Sequence, residues 1–506
     1  MNIFKKLFSR PVLIALVAVL EIFFVGSVFL FFHSLAAWIE TILRILSVII
    51  VITIINNSKH LSQDIIWIVL IVLSPIFGTT LYLFTGADLF MSKTFRNILI
   101  ETQKAKKYYH QDKEVLKELE DDAPYIRGQF HYMSSSAGFP AYRNQGFDYY
   151  PLGDEGFPVI LEELKKAKEF IFMEYFIIEE GKMWNEILKI LEEKAKEGVE
   201  VRVMYDDVGS LMTLSYDYAR RLEEKGIQCV SFNRVDPILN IILNHRDHRK
   251  ILVIDGKTAF SGGVNLADEY INVKEKHGHW KDNVIRVKGE AVWSYTVLFL
   301  TNWNALRHQD EDYRKFRRYP EETAERGYIV PYGETPLDNE ITSQNIYMNI
   351  LNQANDYVYI MTPYLIIDTE FINALILAAK RGVDVRIITP GIPDKKIVFY
   401  VTRSFYGRLI EGGVKICEYD PGFVHGKVFV SDDRIAAVGT INLDYRSLYL
   451  HFENGTYLYD VKEIEDIRKD LEETMEKGHE VSPSEVDSHL WYKLFVGFIK
   501  LFAPLM

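Results

Sequence analysis

Hydrophobic and polar positions split the chain into an apolar first part and a long stretch in which strand-like and helix-like patterns alternate. Residues 12–32 are apolar except for Glu21 and a few small polar positions, and a run of that length can cross a bilayer core. A second run, about 35–55, carries Glu40 and Arg44. Four positions apart, these two would share a helix face and can pair, which matters because each charge costs roughly 2.5–3.5 kcal/mol at mid-bilayer. A third run, 65–84, holds Pro75 and Gly78. Three such runs in succession predict a membrane-anchored region over 1–90, with two or three membrane segments. Lys93, Arg96, Lys104, Lys106 and Lys107 follow it, and a positive cluster of this kind favours the cytoplasmic side for the part it adjoins.

Residues 93–122 turn charged and helical, so 91–140 reads as a solvated helical stalk and membrane-proximal linker. Then come repeated α/β units. The stretch 169–178 (EFIFMEYFII) is continuously apolar, as expected of a strand in a sheet covered on both faces. Helical periodicity over 184–196 stops at Gly198, and a strand (VEVRVMY) follows over 199–205. The second half repeats this order: YVYIMTPYLII over 357–367, a helix ending at Arg381 and Gly382, then VDVRIIT over 383–389. Two copies of this size are a duplicated domain, not solenoid units; we place them at 141–317 and 318–483, with the linker near 317–333. The remaining segment, 484–506, reads as an amphipathic helix at a membrane interface, with Lys493 and Lys500 on its polar edge.

Composition adds limits. The chain of 506 residues is 48% apolar and 25% charged with a net charge of −12, which is a globular mixture and counts against nucleic acid as a partner. Cys229 and Cys417 lie too far apart for a paired metal motif and sit in apolar, strand-like runs, so buried free thiols are expected.

The chemistry lies in a pattern that occurs twice. His248, Lys250, Asp255 and Asn265 reappear as His425, Lys427, Asp432 and Asn442, each displaced by the same 177 positions (248 to 425, 250 to 427, 255 to 432, 265 to 442). On a strand, histidine and lysine two apart face the same way. Two copies facing each other would place two imidazoles and two ammonium groups around one cavity. The lysines supply positive charge for a phosphate, and Asn265 and Asn442 add neutral donors. One histidine can attack phosphorus while the other protonates the leaving oxygen, with no metal or other cofactor required. Asp255 and Asp432 follow their lysines at odd spacing, which turns them away from that cavity and toward an anchoring role. Asp282 and Glu453 are candidates to orient the imidazoles by accepting the other ring N–H.

This doubled H-x-K-x4-D-x6-G-x-x-N pattern resembles the phospholipase D superfamily, and within it the bacterial cardiolipin synthases. Supporting stretches are LSPIFG at 73–78, YLFTG at 82–86, FMEYF at 172–176, YDDVG at 205–209 and TPY at 362–364. The resemblance implies an α/β fold: a duplicated phospholipase D-type domain, two α/β/α sandwich repeats with pseudo-two-fold symmetry, preceded by N-terminal transmembrane helices. It also counts Asp255 and Asp432 with the catalytic set, makes His248 the nucleophile and His425 the general acid, and implies a phosphohistidine intermediate. The implied reaction takes two phosphatidylglycerol molecules at the cell membrane to cardiolipin and glycerol; water or another alcohol as acceptor is the alternative. Gly263 and Thr440 stand where serine is frequent in the superfamily, a change expected to leave the mechanism intact.

Overall fold

The computed structural model describes Phe23, Ser27 and residues 37–57, 61–83, 92–122, 125–234, 245–319, 323–338, 340–486 and 490–500. The first apolar run therefore lies outside the described residues, apart from Phe23 and Ser27. The second is the helix Ala37–Asn57, and the third is two helices, Leu61–Leu73 and Pro75–Leu81. The break falls where Pro75 can start a helix but not continue one. Ile50, Ile54 and Ile71 are buried where these helices meet, and the Ser47 and Thr79 hydroxyls lie 2.7 Å apart. Ile42, Val48, Ile49 and Ile52 stay more than half exposed. No described helix is long and apolar enough to cross a membrane.

The charged segment beyond is not a solvated arm. Helix Lys93–Ala105 buries Phe95, Ile98 and Ala105, the Phe95 ring stacks on Phe452 with centroids 6.4 Å apart, and the Trp293 indole donates to the Tyr108 carbonyl at 2.8 Å. Its apolar positions recur at helical spacing, so its charged composition describes only the outward face.

Two sheets form the body. The seven-stranded sheet runs Phe147–Tyr150, Val284–Lys288, Thr258–Gly262, Lys250–Ile254, Phe170–Tyr175, Glu200–Asp206 and Gln228–Phe232. The nine-stranded sheet contains the matching series Glu453–Tyr459, Ile435–Gly439, Val428–Ser431, Tyr357–Met361, Asp384–Pro390 and Lys415–Tyr419. Order and direction agree: Phe170–Tyr175 and Tyr357–Met361 each pair antiparallel with the motif strand and parallel with Glu200–Asp206 or Asp384–Pro390, respectively. Tyr142–Arg143, although it falls at the start of the span assigned to the first repeat, is an edge strand of the second sheet. Between the sheets lies helix Val292–Arg307, buried from Val292 to Ala305, with helix Ile464–Glu476 in the equivalent place; one core cluster joins both helices to strands of both sheets. Separate cores fill the outer faces under Trp184 and Ile187 in one repeat and under Ile350 and Phe371 in the other. This gives two α/β/α units sharing their inner layer.

Candidate active site

Each motif histidine sits just before its strand, where the chain of one repeat is hydrogen-bonded to the other repeat. The His248 amide donates to the Phe452 carbonyl and the Phe452 amide to that of Arg246, both at 2.8 Å. The His425 amide donates to the Lys281 carbonyl at 2.7 Å, and Gly422–Val424 pairs in parallel with His279–Lys281. Glu453 and Asp282 are the next residues after these partners, so the backbone register delivers each carboxylate to the opposite repeat's histidine. His248 Nδ1 lies 2.9 Å from both oxygens of Glu453, and His425 Nδ1 lies 2.6 Å from Asp282 Oδ2. Both pairs are buried. With Nδ1 held by a carboxylate, Nε2 is the atom of each ring available to a reactant.

Lys250 and Lys427 bend back onto their own motifs: Lys250 Nζ donates to the His248 carbonyl at 2.7 Å, and Lys427 Nζ to the His425 carbonyl. Burial pulls the two ammonium groups down to about 7 and about 8 respectively. Burial, then Lys250, holds His248 well below the usual imidazole range; burial, then Lys427, brings His425 down to about 4. Burial also pushes Glu453 up to about 8, opposed by Lys250. Burial would likewise raise Asp282, but the charge and hydrogen bond of His425, with Lys427, outweigh it and hold the carboxyl low. The cavity is thus an interior poor in water that strips charge from its own groups, and an entering phosphate would restore charge to the lysines and a proton to His425.

The remaining candidates divide. Asp255 and Asp432 do not reach this cavity, which takes them out of the catalytic set. Asp255 accepts from the amides of Lys168, Glu169 and Phe170, and Asp432 from those of Asn355, Asp356 and Tyr357, at 2.8–3.0 Å. Both take positive φ, 51° and 52°. Each ties the end of its motif strand to the start of the neighbouring strand. Asn265 is held by the Ile177 amide and the Tyr270 hydroxyl, while Asn442 reaches Asp444 at 3.4 Å. Gly263 is more constrained than its small size suggested: a Cβ there would stand 2.0 Å from Asp282 Oδ1 and 2.9 Å from the His425 carbonyl. At the matching place in the second repeat, the Thr440 hydroxyl donates to Glu453 instead.

Sequence reasoning missed Asn454 and His451. The Asn454 side chain bridges the repeats, accepting from the Lys250 amide at 3.2 Å and donating to Ser261 at 2.8 Å. The His451 ring centroid is 5.8 Å from that of His248, and its Nε2 accepts from Arg446 at 3.1 Å, which puts its proton on Nδ1, 4.0 Å from Glu453 Oε1. His248, His451 and Glu453 form a set whose ligand atoms fall within 4.8 Å of one another; Lys250 and Arg446 beside it raise the cost of placing a dication there. The available signal was the position of His451 two residues before a carboxylate already singled out.

Comparison with known proteins agrees with this geometry. The family described as "Cardiolipin synthase, PLD-like domain" matches residues 160–294 and 347–475, one copy per repeat. The chain belongs to this family. A second description, "Phospholipase_D-nuclease N-terminal", matches residues 45–86. Relatives include an uncharacterized protein of Streptococcus mutans, 46% identical over 90% of this chain and 99% of its own, and cardiolipin synthase 2 of Bacillus anthracis, 34% identical over 89% and 88%. The crystal structure of a phosphatidylserine synthase from Haemophilus influenzae superposes with a TM-score of 0.57 at 16% identity, covering 72% of this chain and 95% of that one, which shows a shared fold.

Proposed function

We propose that this family member is a phosphatidyltransferase that makes cardiolipin from two phosphatidylglycerol molecules. The observation that carries the reading is the crossed arrangement of two His/Lys pairs, each imidazole held at Nδ1 by a carboxylate from the other repeat; the name borne by the Bacillus relative supports the product. His248 Nε2 attacks phosphorus, the bond from phosphorus to the glycerol oxygen breaks, and His425 delivers its proton to that oxygen. The hydroxyl of a second phosphatidylglycerol then gives its proton to His425 while its oxygen attacks phosphorus, and the phosphorus–nitrogen bond breaks. Lys250 and Lys427 neutralise the phosphoryl oxygens throughout.

The matched N-terminal region and the three apolar runs support residence in the cell membrane through several N-terminal segments, and the basic cluster from Lys93 to Lys107 supports the cytoplasmic side for the catalytic repeats. Purified enzyme supplied only with phosphatidylglycerol in vesicles tests the reaction. Cardiolipin and glycerol in equal amounts are expected; phosphatidic acid with no cardiolipin would make the chain a hydrolase.

A further inference from the structure

Two surface segments leave the sheets at the level of the candidate site. Tyr175 pairs with Lys250 and Met361 with Val428, so the C-terminal ends of these strands, and of their parallel neighbours Glu200–Asp206 and Asp384–Pro390, lie beside the His/Lys pairs. From the first neighbour emerges the loop 207–217, and from the second the segment leading into helix Lys396–Glu411. These are two-fold counterparts, and both present apolar side chains outward: Met212 is 78% and Tyr216 53% exposed, Ile397 57% and Tyr400 42%.

Each segment touches the site's wall. Gly209 packs against Phe176, whose ring meets His248 at 4.9 Å. Just before the helix, Asp394 accepts from the Tyr364 hydroxyl at 2.6 Å, and Tyr364 leads through Phe423 to His425. The C-terminal helix Leu490–Lys500 extends the second side. It packs Ile499 against the buried cluster of Ile366, Val401 and Tyr445 and leaves Phe495 and Phe498 more than half exposed. Charge marks the second side only: Lys395 and Lys396 are exposed beside Ile397, whereas the loop 207–217 carries Asp207 and Asp217 and no Lys or Arg.

We propose that this apolar rim, basic on its second side, docks the catalytic repeats onto an anionic lipid surface, so that lipid headgroups enter the cavity without leaving the bilayer. The inference rests on the phosphatidyltransferase reading. Clustered exposed apolar side chains mark an interaction surface, and basic residues beside them select an anionic interface. In an isologous contact, a second copy of the chain would cover the apolar side chains only by setting the same basic residues against themselves.

The test uses the full chain in phosphatidylglycerol vesicles. An environment-sensitive dye is placed on Met212→Cys, Phe498→Cys or Lys196→Cys, the native Cys229 and Cys417 being buried. Lys196 closes the helix that returns to the far end of the sheet, and it serves as control. Spin-labelled acyl chains should at least halve emission from positions 212 and 498 and leave 196 unchanged, and high salt should weaken the effect. Unquenched dye at 212 and 498 in vesicles where cardiolipin forms would overturn the rim while leaving the activity standing. Equal quenching in phosphatidylcholine vesicles would overturn its preference for anionic lipid. Dye at 498 shielded only in step with dimer formation would assign the face to a second copy. Normal quenching without cardiolipin would instead count against the phosphatidyltransferase reading.

Discussion

Exchanging the two orienting carboxylates for amides, Glu453→Gln and Asp282→Asn, should produce different defects, because each carboxylate serves the other repeat's histidine. An amide of the same shape presents its N–H to Nδ1 and forces the ring proton onto Nε2, the atom required for attack or for proton transfer. The bond lost is a buried one to an ionisable partner, 2.9 Å at His248 and 2.6 Å at His425, worth about 1.5–3 kcal/mol. That corresponds to roughly 10- to 150-fold in the affected step. A phosphatidyl ester of p-nitrophenol separates the two, since this leaving group departs without protonation. In a burst assay, Glu453→Gln should slow the first release of nitrophenol by that factor, and Asp282→Asn should leave the burst near wild type. With phosphatidylglycerol, whose glycerol leaving group needs the proton, both variants should be slow. A normal burst in Glu453→Gln and a slowed one in Asp282→Asn would show that the histidine roles, or the crossing itself, are wrong.

Three further outcomes follow from the same geometry. Lys250 and Lys427, at about 7 and about 8 in the empty cavity, are charged below those values and lose their protons as pH rises through them, so kcat/KM should fall on that limb; Lys250→Arg should shift the limb upward in a pH profile. Gly263→Ser should displace Asp282 and cut activity, because its Cβ would overlap Asp282 Oδ1, whereas Thr440→Ser keeps the hydroxyl on Glu453 and should retain most of it. Asp255→Ala removes three bonds to backbone amides, a loss of about 3 kcal/mol at ~1 kcal/mol each; the urea midpoint should drop while kcat per folded molecule stays close to wild type.

The duplicated fold was legible because local patterns carry it. Apolar strands such as 169–178, glycine stops at Gly198 and Gly382, and the matched motif spacing recur in sequence and reappear as six matching strands in each sheet. Strand parity also put Asp255 and Asp432 on the correct side of the motif. What was not legible depends on contacts between distant segments. No spacing rule says that Asp282 should serve His425 and not His248; the choice is made by the backbone hydrogen bonds joining residues 246–248 to Phe452 and His425 to Lys281. Gly263 looked interchangeable with serine because its closeness to Asp282 exists only once the repeats meet. The segment 93–122 was misjudged for a different reason: its charges dominate its composition, while Phe95, Ile98 and Ala105 form the stripe that packs.

The central claim is one cavity built from two half-sites, with His248 carrying the phosphatidyl group. Rapid quenching of enzyme and radiolabelled phosphatidylglycerol at alkaline pH, where phosphohistidine survives, followed by peptide mapping, tests it most directly. The expected result is label on His248, absent from His248→Ala and accumulating at a slowed rate in His425→Ala. Label on His425, or cardiolipin formed with no covalent species on either histidine, would contradict it.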